Sequence, residues 1–346
     1  MTKAALQART MLPLPPGGGK RIVRSTEIVA ADIGGTHARF AIAQISGGRV
    51  RSLGAETVLR AADHASLQTA WEAFAVQQGR PLPRAAAIAV ACPVTGDVLK
   101  LTNNPWIIRP ALIGEKLGVD RHILVNDFEA VAHAVAQSPD DQFRHLCGPE
   151  TALPPTGIIT IVGPGTGMGV ALIMRTPQGY HVVATEGGHV DFAPVDSIED
   201  AVLAGLRKSH PRVSAERIVS GPGIVAIYTA LAAIEGRAVL AATDKALWTA
   251  ALDGSDSLAA AALDRFCLSL GAVAGDLALA HGANAVVIAG GLGLRIKDQL
   301  PRSGFADRFI AKGRFERRME AIPVKLITHP QPGLYGAAAA FARANS

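Results

Sequence analysis

The sequence predicts a two-domain α/β fold in which each half begins with the same kind of hairpin. Three observations predict it. A length of 346 residues suits two domains of ordinary size. Short apolar runs of strand type alternate with helical stripes along most of the chain. Two segments also share one plan: IVAADIGGT at 28–36 and IITIVGPGT at 158–166 each join an apolar strand to a glycine turn that carries a Thr, and a second apolar strand follows. Two such halves facing each other would bring both turns to one cleft.

The elements follow in order. Residues 1–26 hold Pro13, Pro15, Pro16 and Gly17 to Gly19 without an apolar core, and read as a flexible extension rather than a signal peptide. Strands at 28–33, 39–45 and 55–59, separated by Gly34-Gly35 and Gly47-Gly48, read as an antiparallel meander. A helix at 66–78 places Leu67, Trp71, Phe74 and Ala75 on one stripe. A buried strand at 86–91, a helix at 110–117, a strand at 123–125 and a helix at 128–136 complete the first half. The plan restarts with strands at 158–162, 170–174 and 180–185 around the loop 163–169. The Ala-rich stretch Ser257–His281 contains Asp264, Arg265 and Asp276, which marks a buried helix rather than a bilayer span. Strands at 285–289 and 324–328 and a helix at 333–343 close the chain. The expected division is a small α/β domain at 27–136, joined by a C-terminal helix at 330–346, and a large α/β domain at 137–329.

Both turns have the chemistry of phosphate loops. Backbone N–H groups reach a phosphate where no Cβ intervenes, and glycine also tolerates conformations closed to other residues. The candidates are Ala31, Asp32, Ile33, Gly34, Gly35 and Thr36 in the first loop, and Gly165, Thr166 and Gly167 in the second. No Gly-Lys-Ser/Thr follows either loop, so neither is a Walker A motif, and the dinucleotide spacing GxGxxG is not met. A single glycine hairpin without ligand would look the same; the repetition in matching contexts favours phosphate. Asp32 would repel phosphate unless a cation bridges them, so it is a candidate Mg²⁺ partner through water, or else a turn-forming Asp. Asp127 stands where a strand ends and a helix starts, a common location for ligands in α/β proteins and also for an N-cap.

Nine segments in register carry a resemblance. They are DIGGTHAR from Asp32, ACPVTGD from Ala91, TNNPW from Thr102, VNDFEA from Val125, GPGTGMG from Gly163, EGGHVDFAP from Glu186, VSAERIVSGPG from Val213, IAGG from Ile288 and PGLYGA from Pro332. Together the chain resembles the bacterial glucokinases of the hexokinase/actin-like ATPase superfamily from about Ile28 to its C-terminus. The resemblance implies an actin-like ATPase (ribonuclease H-like) fold with a cleft between domains, and transfer of phosphate from ATP, with Mg²⁺, to the 6-hydroxyl of glucose. It implies Asp127 as the catalytic base, with Asn126, Asp127, Glu186, His189 and Glu216 holding glucose and Asn103 as a further contact. It places Gly290 and Gly291 against the adenosine, and suggests a homodimer. Ala31 stands where relatives often have Gly, and His37 where they often have Asn. The cysteine-rich zinc motif of the related repressor/kinase family is absent, so no structural zinc is expected. A kinase for fructose or mannose, or a non-catalytic actin-like ATPase or sugar sensor, is the alternative.

Bulk properties narrow the partners. The formal charge is +5, but the basic residues are scattered and aromatics that could stack on bases are few, so no nucleic-acid partner is expected. The one dense cluster, Lys312, Arg314, Arg317 and Arg318, reads as a solvated helix face. Cys92, Cys147 and Cys267 form no CxxC pair and are odd in number, which argues against a disulfide framework and for a reducing cytoplasm. No membrane partner is expected.

Overall fold

The computed structural model describes residues 25–101, 104–239 and 243–346. Strands Thr26–Ile33 (β1) and His37–Ser46 (β2) form the first antiparallel hairpin. A single third strand is expected from the sequence, but the structure has two, Arg49–Leu53 (β3) and Thr57–Arg60 (β4), and both pair with β2. The split lies at Gly54. Its N–H donates to the Ile42 carbonyl at 2.8 Å, a Cβ there would meet the same oxygen at 3.1 Å, and β2 is bulged next to it, between Gln44 and Ile45. The reverse turn at Gly47 and Gly48 has positive φ at both residues (59° and 71°), as a tight hairpin requires.

Helix Leu67–Gln78 (α1) starts at a capping box between Ser66 and Thr69 and ends at the left-handed Gly79. Its Trp71 and Phe74 pack on Phe40 of β2, with the two phenyl rings stacked 5.2 Å apart. Ala85–Val90 (β5) is buried along its whole length and runs parallel to β1. A small ribbon of Leu99–Lys100 (β6) and Ile107–Ile108 (β7), helix Ile113–Leu117 (α2) and strand Arg121–Asn126 (β8) follow, and β8 leads directly into helix Asp127–Gln137 (α3).

The second half opens with Phe143–Cys147 (β9), which the sequence pattern does not reveal. Gly157–Pro164 (β10), Met168–Thr176 (β11) and Gly179–Thr185 (β12) come next. Helices Ser197–Arg207 (α4), Gly223–Ile234 (α5), Asp244–Asp253 (α6) and Ser257–His281 (α7) precede Ala285–Ile288 (β13) and Gly290–Arg295 (α8). Phe305–Ile310 (α9), Glu316–Glu320 (α10), Val324–Ile327 (β14) and Pro332–Ala344 (α11) end the chain. Among the described residues α7 is long and apolar enough to cross a membrane, yet it is mostly buried in the protein's own core.

The internal repeat is one of topology. The first sheet has the order β3-β2-β1-β5-β8, and the second β12-β11-β10-β13-β14 with β9 added at the edge. In each, the first three strands are antiparallel neighbours and the next two run parallel to the first. Helices α3 and α11 pack on each other between the sheets. Leu334, Ala337, Ala338 and Phe341 of α11 share a core with β1, β2 and β5. Val131, Ala132 and Val135 of α3 share one with β10, β11 and β13. Gly336 makes the close helix contact possible, since a Cβ there would collide with the Ala130 carbonyl.

Candidate functional site

The site is built around the junction of β8 and α3. Asn126, not Asp127, caps the helix. Its Oδ1 accepts from the N–H groups of Phe128 (2.9 Å) and Glu129 (3.3 Å), and the Glu129 carboxylate reaches back to the Asn126 N–H (3.4 Å). The Asn126 Nδ2 donates to the Cys92 carbonyl at 3.3 Å, just past the end of β5. Asp127 is therefore the first helical residue. Its Oδ1 accepts from the Phe128 N–H at 2.8 Å. Burial pushes the Asp127 carboxyl above its ordinary 3.8, the Phe128 N–H pulls the other way, and the charge of Glu186 adds to the rise.

Asp32 is the penultimate residue of β1, two strands from β8 in the same sheet. Burial pushes its carboxyl up to about 6 against the pull of Arg39, and the charges of Asp127 and Glu56 add to the rise. Arg39 lies 3.7 Å from Asp32 and 3.1 Å from Glu56. Gly333, at the start of α11, leaves room for the Asp32 carboxylate; a Cβ there would lie 2.5 Å from its Oδ2. Two carboxylates whose charged forms are each raised in energy, near an anion-binding type of loop, fit a divalent cation: Asp32 has the hard oxygen that Mg²⁺ prefers, and Arg39 at 3.7 Å offsets only part of its charge.

In the first loop the Gly34 N–H donates to the His37 carbonyl (2.9 Å), and the Ala61 N–H donates to the Thr36 carbonyl (2.9 Å). The Gly34 carbonyl accepts from Asn104 Nδ2 at 3.0 Å. Thr36 is exposed, and Gly35 half-buried. Ala31 and Ile33 are fully buried in the core, paired with β2 and β5, so what they offer a ligand is limited to the position of the backbone. Asn103 lies outside the described residues.

The second loop is shorter than the glycines suggest. Gly163 and Gly169 belong to the β10–β11 ladder, where they pair with each other. They are glycine because the Phe128 ring fills the space where their side chains would stand. The turn proper is Gly165, Thr166 and Gly167, closed by the Gly165 N–H donating to the Gly167 carbonyl (2.8 Å) and held by the Gly221 N–H on the Gly165 carbonyl (2.7 Å). Gly290 has φ +80°, and a Cβ there would lie 2.7 Å from the Pro164 carbonyl. Gly165, Thr166 and Gly291 line one open pocket of about 280 Å³ with Gly221, Pro222, Asp244, Lys245, Trp248, Leu292 and Arg295.

Glu216 sits on a short 3₁₀ turn, and its Oε2 accepts from the Met168 N–H at 2.9 Å. The carboxylate occupies the space that Gly167 leaves by having no side chain. Glu186 precedes the turn Gly187–His189 that His189 closes, and both side chains are exposed, 3.9 Å apart. Gly188 has no room for a Cβ against the Met168 carbonyl. This turn is fastened to the segment before Glu216: Ala215 N–H donates to the Val190 carbonyl (2.8 Å), and Arg212 donates to the His189 carbonyl (2.7 Å) while pairing with Asp191 (2.6 Å).

The structure thus gathers Asp32, Asn126, Asp127 and Glu186 by strand order and electrostatics, and joins Glu216 to the second loop. Phe128 seats α3 on the second sheet while Asn126 ties its start to the first, so Asp127 stands where both halves meet. Sequence reasoning misses Asn104, Phe128, Arg212 and the pocket residues Lys245 and Arg295. Only Phe128 had a readable signal, as the bulky neighbour of two suspected functional positions.

Comparisons with known proteins agree on one family. The glucokinase family model matches residues 29–344. A glucokinase of Zymomonas mobilis subsp. mobilis is 65% identical over 316 residues, which is 91% of this chain and 98% of that protein. The crystal structure of a glucokinase from an Antarctic psychrotroph superposes with a TM-score of 0.81 at 34% identity, over 92% of this chain and 99% of the other. The glucokinase of Balamuthia mandrillaris in complex with glucose shares the fold, with a TM-score of 0.74 at 20% identity over 94% and 95% of the two chains. With a strand order repeated in two halves, an acid at their junction and these likenesses along nearly the whole length, the chain belongs to the glucokinase family.

Proposed function

We propose that the chain transfers the terminal phosphoryl group of ATP to the 6-hydroxyl of D-glucose, giving glucose 6-phosphate and ADP, the first step of glycolysis. The observation that carries this reading is Asp127: a desolvated carboxylate at a strand end, within the electrostatic reach of Asp32 on one side and Glu186 on the other. Phosphoryl transfer asks mainly for positioning, charge neutralisation and an acceptor for the hydroxyl proton. Asp127 takes that proton at its carboxylate, and a raised affinity for protons suits the task. The 6-hydroxyl oxygen, freed of the proton, attacks the terminal phosphorus.

The sugar is held by Asn126, Asp127, Glu186, His189 and Glu216, with Asn103 as a further contact, because amides and carboxylates match the paired donors and acceptors of sugar hydroxyls. The backbone of Gly34, Gly35 and Thr36 and of Gly165, Thr166 and Gly167 faces the phosphates, with Ala31 and Ile33 fixing the strand that carries the first loop. Gly290 and Gly291 back the adenosine. Mg²⁺ fits beside Asp32 through water, and when bound it supplies neutralisation of phosphate charge. Residues 27–136 with the helix at 330–346 act as a small domain, and 137–329 as a large one. Closure of the cleft between them excludes water, so ATP is not spent on hydrolysis. The reading extends to a cytoplasmic homodimer without nucleic-acid or membrane partners.

The test is Asp127→Ala in an ADP-coupled assay with ATP and a panel of hexoses. Turnover should fall by about 10²–10⁴ with folding retained, and glucose should be the preferred sugar of the parent enzyme. Near-normal turnover of the variant would sink the assignment of the base, and ATP consumption that no hexose accelerates would sink the activity.

A further inference from the structure

A buried amide reaches the first phosphate loop from a distant part of the chain. Asn104 is 8% exposed. Its Oδ1 accepts from the Trp106 N–H at 2.9 Å, which fixes the side chain, and its Nδ2 donates to the Gly34 carbonyl at 3.0 Å across 70 positions of sequence. Trp106 is itself buried and anchored through its indole N–H to the His64 carbonyl at 2.8 Å. The donor is therefore held from a rigid base.

The consequence follows from peptide geometry. The Gly34 carbonyl and the Gly35 N–H belong to one planar trans unit, in which they point in opposite directions. Fixing one fixes the other. Gly34 and Gly35 have no side chains to restrict that plane, and two adjacent glycines otherwise sample many orientations. The strand bonds end just before it: the Ile33 carbonyl accepts from the Ala91 N–H at 3.1 Å, and after that the Gly34 carbonyl depends on Asn104. We propose that Asn104 is a positioning residue for nucleotide binding, which orients the Gly34–Gly35 peptide and so aims the Gly35 N–H at the phosphates. The inference rests on the kinase reading above.

The experiment compares Asn104→Asp with Asn104→Ala, following the binding of AMPPNP with Mg²⁺ and of glucose separately by calorimetry. Asn104→Asp keeps the acceptor for the Trp106 N–H but exchanges the donor to Gly34 for a carboxylate oxygen, whereas Asn104→Ala removes both bonds without adding charge. Each variant should bind AMPPNP about fivefold more weakly, the fold-change that one hydrogen bond carries. Glucose affinity of both variants should stay close to that of the parent, while the buried charge of Asn104→Asp lowers its melting temperature. A merely structural role would weaken both ligands together, and that result overturns the proposal. So does unchanged AMPPNP affinity in Asn104→Asp. A loss in Asn104→Asp that disappears at high salt, where charge repulsion between the new carboxylate and phosphate is screened, overturns it as well. Parent enzyme that fails to phosphorylate glucose would instead remove the underlying reading, and that is a separate outcome.

Discussion

The two glycine loops occupy equivalent places in equivalent sheets, yet their glycines are there for different reasons. In the first loop, a Cβ added at Gly34 would make only ordinary contact, with the His37 carbonyl at 3.5 Å, and the Gly34 carbonyl is held from outside by Asn104. In the second, Gly163, Gly167 and Gly169 are filled in by other side chains of the protein: the Phe128 ring takes the room of two of them, and the Glu216 carboxylate takes that of the third. Only Gly165 opens on free space. A run of alternating glycines therefore mixes two physical causes, close approach of a ligand and close approach of the protein itself. The second cause still serves the site, since it lets the helix behind Asp127 and the turn that carries Glu216 sit against the loop.

The sharpest way to break this contrast is to add one methyl group to each kind of glycine. Gly169→Ala drives a Cβ into the Phe128 ring and should cost about 1–3 kcal/mol or more in unfolding by denaturant. Joined with Phe128→Leu, much of that loss should return as a coupling between the two substitutions, because they share one space. Full additivity would show that the ring does not set the identity of the glycine.

A comparable but opposite effect is expected at Asp32. Its folded carboxyl, raised to about 6 from an ordinary 3.8, binds protons that the unfolded chain has already released. The ligand-free protein thus loses stability as pH rises from about 4 to about 6, and the cost is fully present above that. Asp32→Asn should flatten the pH dependence in this window and stabilise the free protein at pH 7 by about 1–3 kcal/mol, while turnover falls. Melting curves across that range, with and without Mg²⁺ and ATP, check it. A variant no more stable than the parent would show that Arg39 already compensates the charge.

The smallest effect in stability belongs to Gly165→Ala. With no atom within 4 Å of the added carbon, its unfolding free energy should stay within about 0.5 kcal/mol of the parent, while KM for ATP rises. If stability falls as it does for Gly169→Ala, the two classes of glycine collapse into one.

Most of the longer strands were legible in the sequence because buried strands and glycine turns leave local marks. The hairpins at 28–45 and 158–174, the strand at 86–91 and the long core helix Ser257–His281 each show as apolar runs of the right length. What escaped was set by partners far along the chain. The division of β3 from β4 depends on Gly54 meeting Ile42, and the edge strand β9 acquires its place only by pairing with β14. The same holds in the site. Asn126 and Asp127 are adjacent, and either could cap a helix; only the direction of the Asn126 side-chain Oδ1 decides it. Asn104 carries no local pattern that points to a carbonyl 70 positions away. Roles given by backbone spacing are readable in a single sequence, whereas roles given by the reach of one side chain across the fold are not.

Helix α11 has a further consequence, for the order in which the molecule can be made. Its Leu334, Ala337, Ala338 and Phe341 complete the core of the sheet formed by β1, β2 and β5. During synthesis that sheet emerges early with one face uncovered, and the residues that cover it come last. The first half must therefore wait for the second before it can be finished, a non-local closure that slows folding and lengthens the time an apolar surface stays open to water.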